Sequence, residues 1–155
     1  MKHGRLDILL AELAHRSGVP LDLDDSGSCA VEYGDGAEIV ISAVEDGEAL
    51  LLQQPVQLLS RADLAEQLRR TLELSRYGAE LAGAALGLDR QTDWIFLWQR
   101  LPVAAMRCDD LEQAILVFMG AAAHARQRLT ATAPDHDAGI VAHTDLRASL
   151  EFLRA

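Results

Sequence analysis

A short acidic loop carries the most specific metal-binding pattern in the chain. The first, third, fifth and sixth positions of an EF-hand-like loop are occupied by Asp22, Asp24, Ser26 and Gly27. The twelfth position of such a loop needs a carboxylate that binds calcium through both oxygens, and here it is Tyr33. The loop also leads into a predicted strand rather than a helix. The sequence therefore favours a turn over a calcium site.

The remaining polar residues form no recognisable catalytic signature. His136 and His143 lie near Asp135 and Asp137, but without the helical spacing that presents two ligands together, so a solvated acidic linker is favoured. The chain contains neither GxSxG nor a phosphate-binding glycine loop. A Ser-His-Asp or Cys-His site stays open, because its members meet in space rather than in sequence. We expect no metal and no cofactor.

Composition and charge restrict the classes of partner. Of the 155 residues, 50% are hydrophobic and 25% are charged, which is typical of a globular domain. The formal net charge of −10 opposes binding to nucleic acid and to anionic membranes. Asp7 and Glu12 interrupt the first apolar run, which argues against a signal peptide, and no stretch reaches the ~18 apolar residues of a membrane span. We therefore expect a soluble, intracellular protein with basic, apolar or small partners.

The elements that must position any site begin with a helix and a group of strands. The helical spacing i, i+3, i+4, i+7 is met by Leu6, Leu9, Leu10 and Leu13. Gly18 is expected to end this helix, because glycine tolerates the left-handed conformation. Three strands are predicted at roughly 28–33, 37–44 and 48–54, around two acidic glycine turns. Both faces of this sheet are apolar and require cover.

The second half of the chain predicts two more helices and an aromatic strand. Ser60 is expected to cap the second helix, whose apolar edge consists of Leu64, Leu68 and Leu72. In the run "TDWIFLWQRLPV", aromatic residues occupy one strand face and aliphatic residues the other. Asp109 is expected to cap the third helix, and Thr144 a short terminal helix carrying Leu146, Leu150 and Leu153. Glycines interrupt the segment before the aromatic strand.

This order of elements resembles the class I type III secretion chaperones, the family typified by the Tir chaperone. The resemblance covers roughly residues 6–130 and rests on the opening "LDILLAELAHRSGVPLDLDDSGSCAVEYGDGAEIVIS", on "EALLLQQPV" and "LLSRADLAEQLRRTLEL", and on "LGLDRQTDWIFLWQRLPV" ahead of "DDLEQAILVFMGAAAHARQRL". It implies an α+β fold, an antiparallel sheet with helices in the order α-β-β-β-α-β(-β)-α. The short C-terminal helix predicted after Thr144 extends past the usual end of the family. Residues 1–130 are then the chaperone-like domain, and 131–155 a flexible link with that short helix.

The resemblance also implies a function. The protein is expected to be a cytoplasmic homodimer that binds the N-terminal segment of one or more secreted effectors and keeps it extended and competent for secretion. No catalysis is implied, and the secretion ATPase or the sorting platform is a further potential partner. Two alternatives stay open: an adaptor or regulatory domain that binds a folded secretion or transcription component, and a small dimeric enzyme acting on an apolar substrate.

Apolar strand and helix residues are the predicted contact sites. The client surface is assigned to Val31, Val40, Leu50, Leu52 and Leu97. The dimer contact is assigned to Leu68 and Leu72 of the second helix and to Trp94 and Trp98 of the late strand. The alternative for each is ordinary core packing, because most large apolar side chains are buried in their own fold.

Overall fold

The computed structural model describes residues 4–34 and 36–131. Its three helices are α1 (Arg5–Ser17), α2 (Leu64–Ser75) and α3 (Cys108–Thr130). Its five strands are β1 (Ser28–Tyr33), β2 (Ala37–Val44), β3 (Ala49–Leu58), β4 (Ala85–Asp89) and β5 (Trp94–Pro102). The predicted C-terminal helix around Thr144, and the histidines near residue 140, lie outside the described residues.

The first helix ends as its sequence predicts. Its buried face consists of Leu6, Leu9, Leu10 and Leu13. Gly18 adopts a left-handed conformation with φ 73°, and its N–H donates to the carbonyl of Ala14 at 2.9 Å. This bond satisfies one of the carbonyl groups that a helix end leaves without a partner.

The strands form one antiparallel sheet in the order β1-β2-β3-β5-β4. The first two strands pair from Ser28↔Ser42 to Tyr33↔Ala37, so a three-residue glycine turn joins them. The third strand runs to Leu58, four residues past the predicted end, because it pairs along the whole of β5. The glycine-interrupted segment contains β4, the strand that the fold prediction kept as optional.

The caps of α2 and α3 differ from the predicted ones. Helix α2 begins at Leu64 after Asp63, while the Ser60 hydroxyl accepts from the N–H of Ala62 in the preceding turn. Helix α3 begins one residue before Asp109, and Asp110 accepts a bond from the backbone N–H of Arg107 at 2.9 Å. Both predicted caps were wrong: the N-cap of α2 is Asp63, whose side chain makes no capping bond, and the N-cap of α3 is Arg107.

The core lies on one face of the sheet. Side chains at alternate positions of all the central strands point to this face, and α3 packs on β3 and β5 and against α1. Phe118 of α3 is fully buried among them. Helix α3 supplies several residues to the buried set, among them Leu111, Leu116, Phe118, Met119, Ala122 and Leu129. The opposite sheet face has no comparable burial.

Candidate functional site

An apolar groove lies where α1, the β1–β2 hairpin and α3 meet. Its volume is about 360 Å³. The apolar lining consists of Leu13, Val19, Leu21, Val31, Ile39, Ile41, Ile115, Leu116 and Met119. These residues come from both helices, from the loop after α1 and from the β1–β2 hairpin. The groove is therefore a gap in the cover of the sheet.

A pair of ionic contacts holds the two helices together at the rim of the groove. Arg16 Nη1 donates to Asp109 Oδ1 at 2.7 Å, and Arg16 Nη2 donates to Glu112 Oε2 at 3.1 Å. The hydrogen bond to Asp109 is the main reason why the pKa of Arg16 is raised above its usual range. Arg16 and Glu112 also line the groove. One side of an otherwise apolar groove is thus charged.

One residue of the groove floor, Tyr33, belongs to a hydrogen-bonded polar pair. Tyr33 lines the groove, and its hydroxyl donates to Gln54 Oε1 at 2.7 Å. Gln54 is fully buried and is the one buried polar side chain among the described residues. Its Nε2 has no hydrogen-bond partner in the part of the chain that the structure describes.

An open sheet edge runs beside the groove. Strand β1 is the outermost strand and pairs only with β2 within the described sheet. Its side chains alternate, so Val31 and Tyr33 point into the groove while Ala30 and Glu32 lie on the other face. An edge strand presents unpaired backbone N–H and C=O groups to an incoming strand.

The sheet face opposite the helices is a second apolar surface. Cross-strand pairing places Val40, Gln53, Trp98 and Ala85 in one row across four strands. Trp94 and Phe96 are half-buried on this face, and Trp98 is 40% exposed. A side chain at Gly87 would begin 3.5 Å from the Trp98 indole, an ordinary contact distance, so the ring lies against β4 at this position. We call this surface the open sheet face.

The structure distributes the five predicted client residues over three environments. Val31 lines the groove, and Val40 lies half-buried on the open sheet face. Leu50, Leu52 and Leu97 are each 0% exposed in the core of their own chain. In this conformation these three side chains are not accessible to a partner. Ordinary core packing, the alternative given for each of them, describes them here.

The sequence analysis missed the groove itself. Its lining from α1 and α3 follows the same periodicity as true core residues, so no pattern along the chain separates Leu13 or Met119 from Leu10 or Phe118. The available signal was indirect: apolar residues in the first predicted strand, Val31 among them.

The four predicted dimer residues lie on two elements that flank β4. Leu72 of α2 is 72% exposed, and Leu68 is half-buried. Trp94 and Trp98 project from β5 on the open sheet face. Helix α2 packs against β4, and β4 pairs with β5. The helix edge and the two tryptophans are therefore separated by one strand.

The acidic loop uses its carboxylate for a turn. Asp24 Oδ1 accepts bonds from the Ser26 hydroxyl at 2.6 Å and from the backbone N–H groups of Ser26 and Ser28 at 2.8 and 3.0 Å. The Ser26 hydroxyl is the main reason why the pKa of Asp24 is lowered. Within the described residues, no three His, Cys, Asp or Glu side chains meet in a way that could hold a metal ion.

Both cysteines are free thiols in environments that disfavour the thiolate. Burial, followed by the negative charges of Asp22 and Asp24, raises the pKa of Cys29 to about 11. Burial also raises the pKa of Cys108 at the start of α3. A reactive nucleophile needs a lowered pKa, so neither thiol has the environment of a catalytic cysteine.

The fold and the groove define an α+β binding domain, with one sheet face covered by helices and an apolar groove at the edge of that cover. The sequence profile of the Tir chaperone protein (CesT) family matches residues 8–126. The chain therefore belongs to this family, which confirms its resemblance to the class I type III secretion chaperones. Among curated proteins, none matches the chain significantly.

Solved structures share the fold at low sequence identity. A chain of the HopA1–SchA chaperone–effector complex is 22% identical with a TM-score of 0.66, over 79% of this chain and 94% of that one. A chain of the ExsC–ExsE complex is 21% identical with a TM-score of 0.69, over 82% and 95%. A chain of the heterodimeric ExoU–SpcU complex from the type III secretion system of Pseudomonas aeruginosa is 18% identical with a TM-score of 0.59, over 80% and 93%. These likenesses confirm the predicted α+β fold.

None of the helices in the described ranges has the length and apolar character needed to cross a membrane.

Proposed function

We propose that this protein is a chaperone that binds the N-terminal segment of one or more type III secreted effectors and keeps that segment extended. The apolar groove beside the open edge of β1 is the observation that carries the proposal. Membership of the Tir chaperone family and the chaperone–effector complexes among its structural neighbours support it.

The groove and the strand edge suit an extended client better than a folded one. A segment added alongside β1 would form main-chain hydrogen bonds, and its alternate side chains would enter the groove. A volume of about 360 Å³ accepts a few side chains rather than a folded surface. The client segment stays unfolded because its backbone bonds and its apolar side chains are both satisfied by the chaperone.

The proposal includes a homodimer that acts in the cytoplasm without catalysis. The exposed edge of α2 and the open sheet face flank β4 and provide apolar area for a second copy. Within this scheme the tryptophans of β5 serve the second copy, and Val40 lies on the open sheet face, outside the client groove. Delivery would then require contact with the secretion ATPase or the sorting platform.

A pull-down with two surface variants tests the proposal. The tagged protein is recovered from its native host under secretion-inducing conditions, and co-eluting proteins are identified by mass spectrometry. We expect a larger secreted protein held through its N-terminal region. Val19→Glu places a charge in the groove at a half-buried position outside the helices and should abolish this capture.

Val40→Glu is the matched control, because it places the same charge at a half-buried valine on the open sheet face. It should leave capture through the groove unchanged. Loss of capture with Val40→Glu alone would move the client site to the open sheet face. Capture of a folded partner by both variants would contradict the chaperone and favour the adaptor.

A further inference from the structure

The polar pair on the groove floor is unusual for its position. Tyr33 belongs to β1 and Gln54 to β3, so the bond between them crosses β2 on the core side of the sheet. The neighbours of Gln54 on the same strand face, Leu52 and Val56, are buried and apolar. An aliphatic residue of similar size would fit this alternation without any polar group to satisfy.

Gln54 is also incompletely satisfied. Its Oε1 accepts from Tyr33, while its buried Nε2 has no partner among the described residues. Burying an amide N–H without a hydrogen bond is unfavourable, and native proteins rarely do so. Departures from this rule concentrate at functional sites. The one hydrogen bond that the Gln54 side chain makes is the bond from Tyr33.

The direction of this bond determines what Tyr33 offers to the groove. A tyrosine hydroxyl has one proton and two acceptor lone pairs. Because the proton is donated to Gln54 Oε1, the Tyr33 oxygen can only accept a further bond. Tyr33 is half-buried and lines the groove, so it is accessible from there in a way that Gln54 is not.

We infer that Tyr33 is a specificity-determining residue, whose oxygen accepts a hydrogen bond from a donor side chain of the client at one fixed point of the groove, between its apolar lining residues. Gln54 is its positioning residue, since it holds the hydroxyl proton and turns the oxygen into an acceptor. The inference rests on the proposed function, because it assumes that the groove binds a polypeptide segment. The preferred segment then alternates apolar residues with one Asn, Gln, Ser, Thr, Lys or Arg.

A selection from random peptides tests the inference without a known client. A phage-displayed library of linear peptides is selected on the full-length protein and on Tyr33→Phe, and sequences lost on Val19→Glu are retained as groove binders. Wild type should select a donor side chain at one constant position between apolar residues. Tyr33→Phe should select apolar residues at that position.

Binding of one selected peptide gives the quantitative test. The best-enriched peptide is compared by fluorescence anisotropy with a peptide whose donor residue is replaced by Val. Tyr33→Phe should weaken the donor peptide by about three- to ten-fold, the value of one hydrogen bond, and leave the Val peptide unchanged. Equal losses for both peptides, no loss for either, or selection of Asp and Glu by wild type would overturn the inference.

A double variant separates specificity from folding. Tyr33→Phe leaves both amide atoms of Gln54 without partners and should lower the melting temperature, whereas Tyr33→Phe/Gln54→Met removes both polar groups and should restore it. The double variant should still fail to discriminate the donor peptide. If every enriched peptide still binds Val19→Glu, the groove is not the binding site and the proposed function fails. This result is distinguishable from the failure of the Tyr33 inference, in which peptides bind the groove but do not discriminate Tyr33→Phe.

Discussion

At the scale of single residues, the groove separates side chains that the sequence presents as equivalent. Leu97 and Val31 both lie on the covered face of the sheet and both are buried, at 0% and 8% exposure. Val31 nevertheless borders the groove, whereas Leu97 does not. We therefore expect Leu97 to contribute to stability alone and Val31 to contribute to the surface that a client contacts.

Replacing Leu97 with Ala should therefore affect stability rather than binding alone. Removing a fully buried leucine side chain costs about 2–5 kcal/mol, because it forfeits apolar burial and leaves a cavity. Urea unfolding monitored by circular dichroism measures this loss. Val19→Ala, at the half-buried groove lining, should cost less than about 1 kcal/mol. Similar costs for the two variants would contradict the division into core and groove.

At the scale of elements, α2 differs from the other helices because little of it is buried. Its one buried residue is Leu74, whereas Leu64 is 41% exposed. Its remaining surface carries a charged network, in which Glu66 accepts bonds from Arg69 and Arg70 at 2.8 Å, and Arg69 also bonds Glu73. Intrahelical ion pairs of this kind support a helix that has few packing contacts of its own.

This network predicts the titration of Glu66. The hydrogen bonds from Arg69, and then those from Arg70, lower the pKa of Glu66 from its ordinary value of 4.5 to about 2. Because the folded pKa lies below the unfolded one, the stabilisation is present above about pH 4.5 and is lost as the pH falls towards 2. A carbon-13 NMR titration of the Glu66 carboxyl group should show this low midpoint.

Arg69→Gln should raise the pKa of Glu66 towards its ordinary value. The matched control is Arg16→Gln, which removes the same charge far from Glu66. Arg16 bonds Asp109 near the start of α3, whereas Arg70, a partner of Glu66, bonds Ala131 just after the end of that helix. Helix α3 has 23 residues, so its ends are about 35 Å apart and the control lies beyond the range of screened charges. An ordinary midpoint in the wild type would rule out the network.

At the scale of the molecule, two apolar surfaces coexist with a strongly negative charge. The groove and the open sheet face lie on opposite sides of one sheet. Exposed apolar surfaces of this kind promote association. A net charge of −10 opposes non-specific association, because copies of the protein repel one another. A protein that must hold an apolar client and stay dispersed benefits from both features.

The exposed edge of α2 should support a homodimer. Leu72 is 72% exposed, so Leu72→Glu removes apolar contact area without disturbing the core, and light scattering should show a monomer. Ile8→Glu is the control, because Ile8 is 56% exposed on α1 and lies on a different element. It should leave the dimer intact. A Leu72→Glu protein that stays dimeric would exclude this edge of α2 from the interface.

Much of the fold could be predicted from periodicity alone. The i, i+4 leucines of α1 and the alternation in β5 specify which side of each element is apolar, because side-chain direction follows directly from helix and strand geometry. Helix caps were less predictable, since Ser60 and Asp63, or Asp109 and Asp110, are chemically interchangeable as acceptors. The short β4 was ambiguous because its glycine and small residues lack a strand pattern.

By itself the sequence determined the family, the order of elements and the apolar side of each one, since these follow from local geometry and from motifs along the chain. Only the tertiary structure decided which apolar side chains remain available to a partner. That choice depends on how α1 and α3 pack over the sheet and on which sheet face they leave open. Both depend on packing between residues far apart in the chain. The pairing of Tyr33 with Gln54 is of the same kind, because their strands become close only when β2 lies between them.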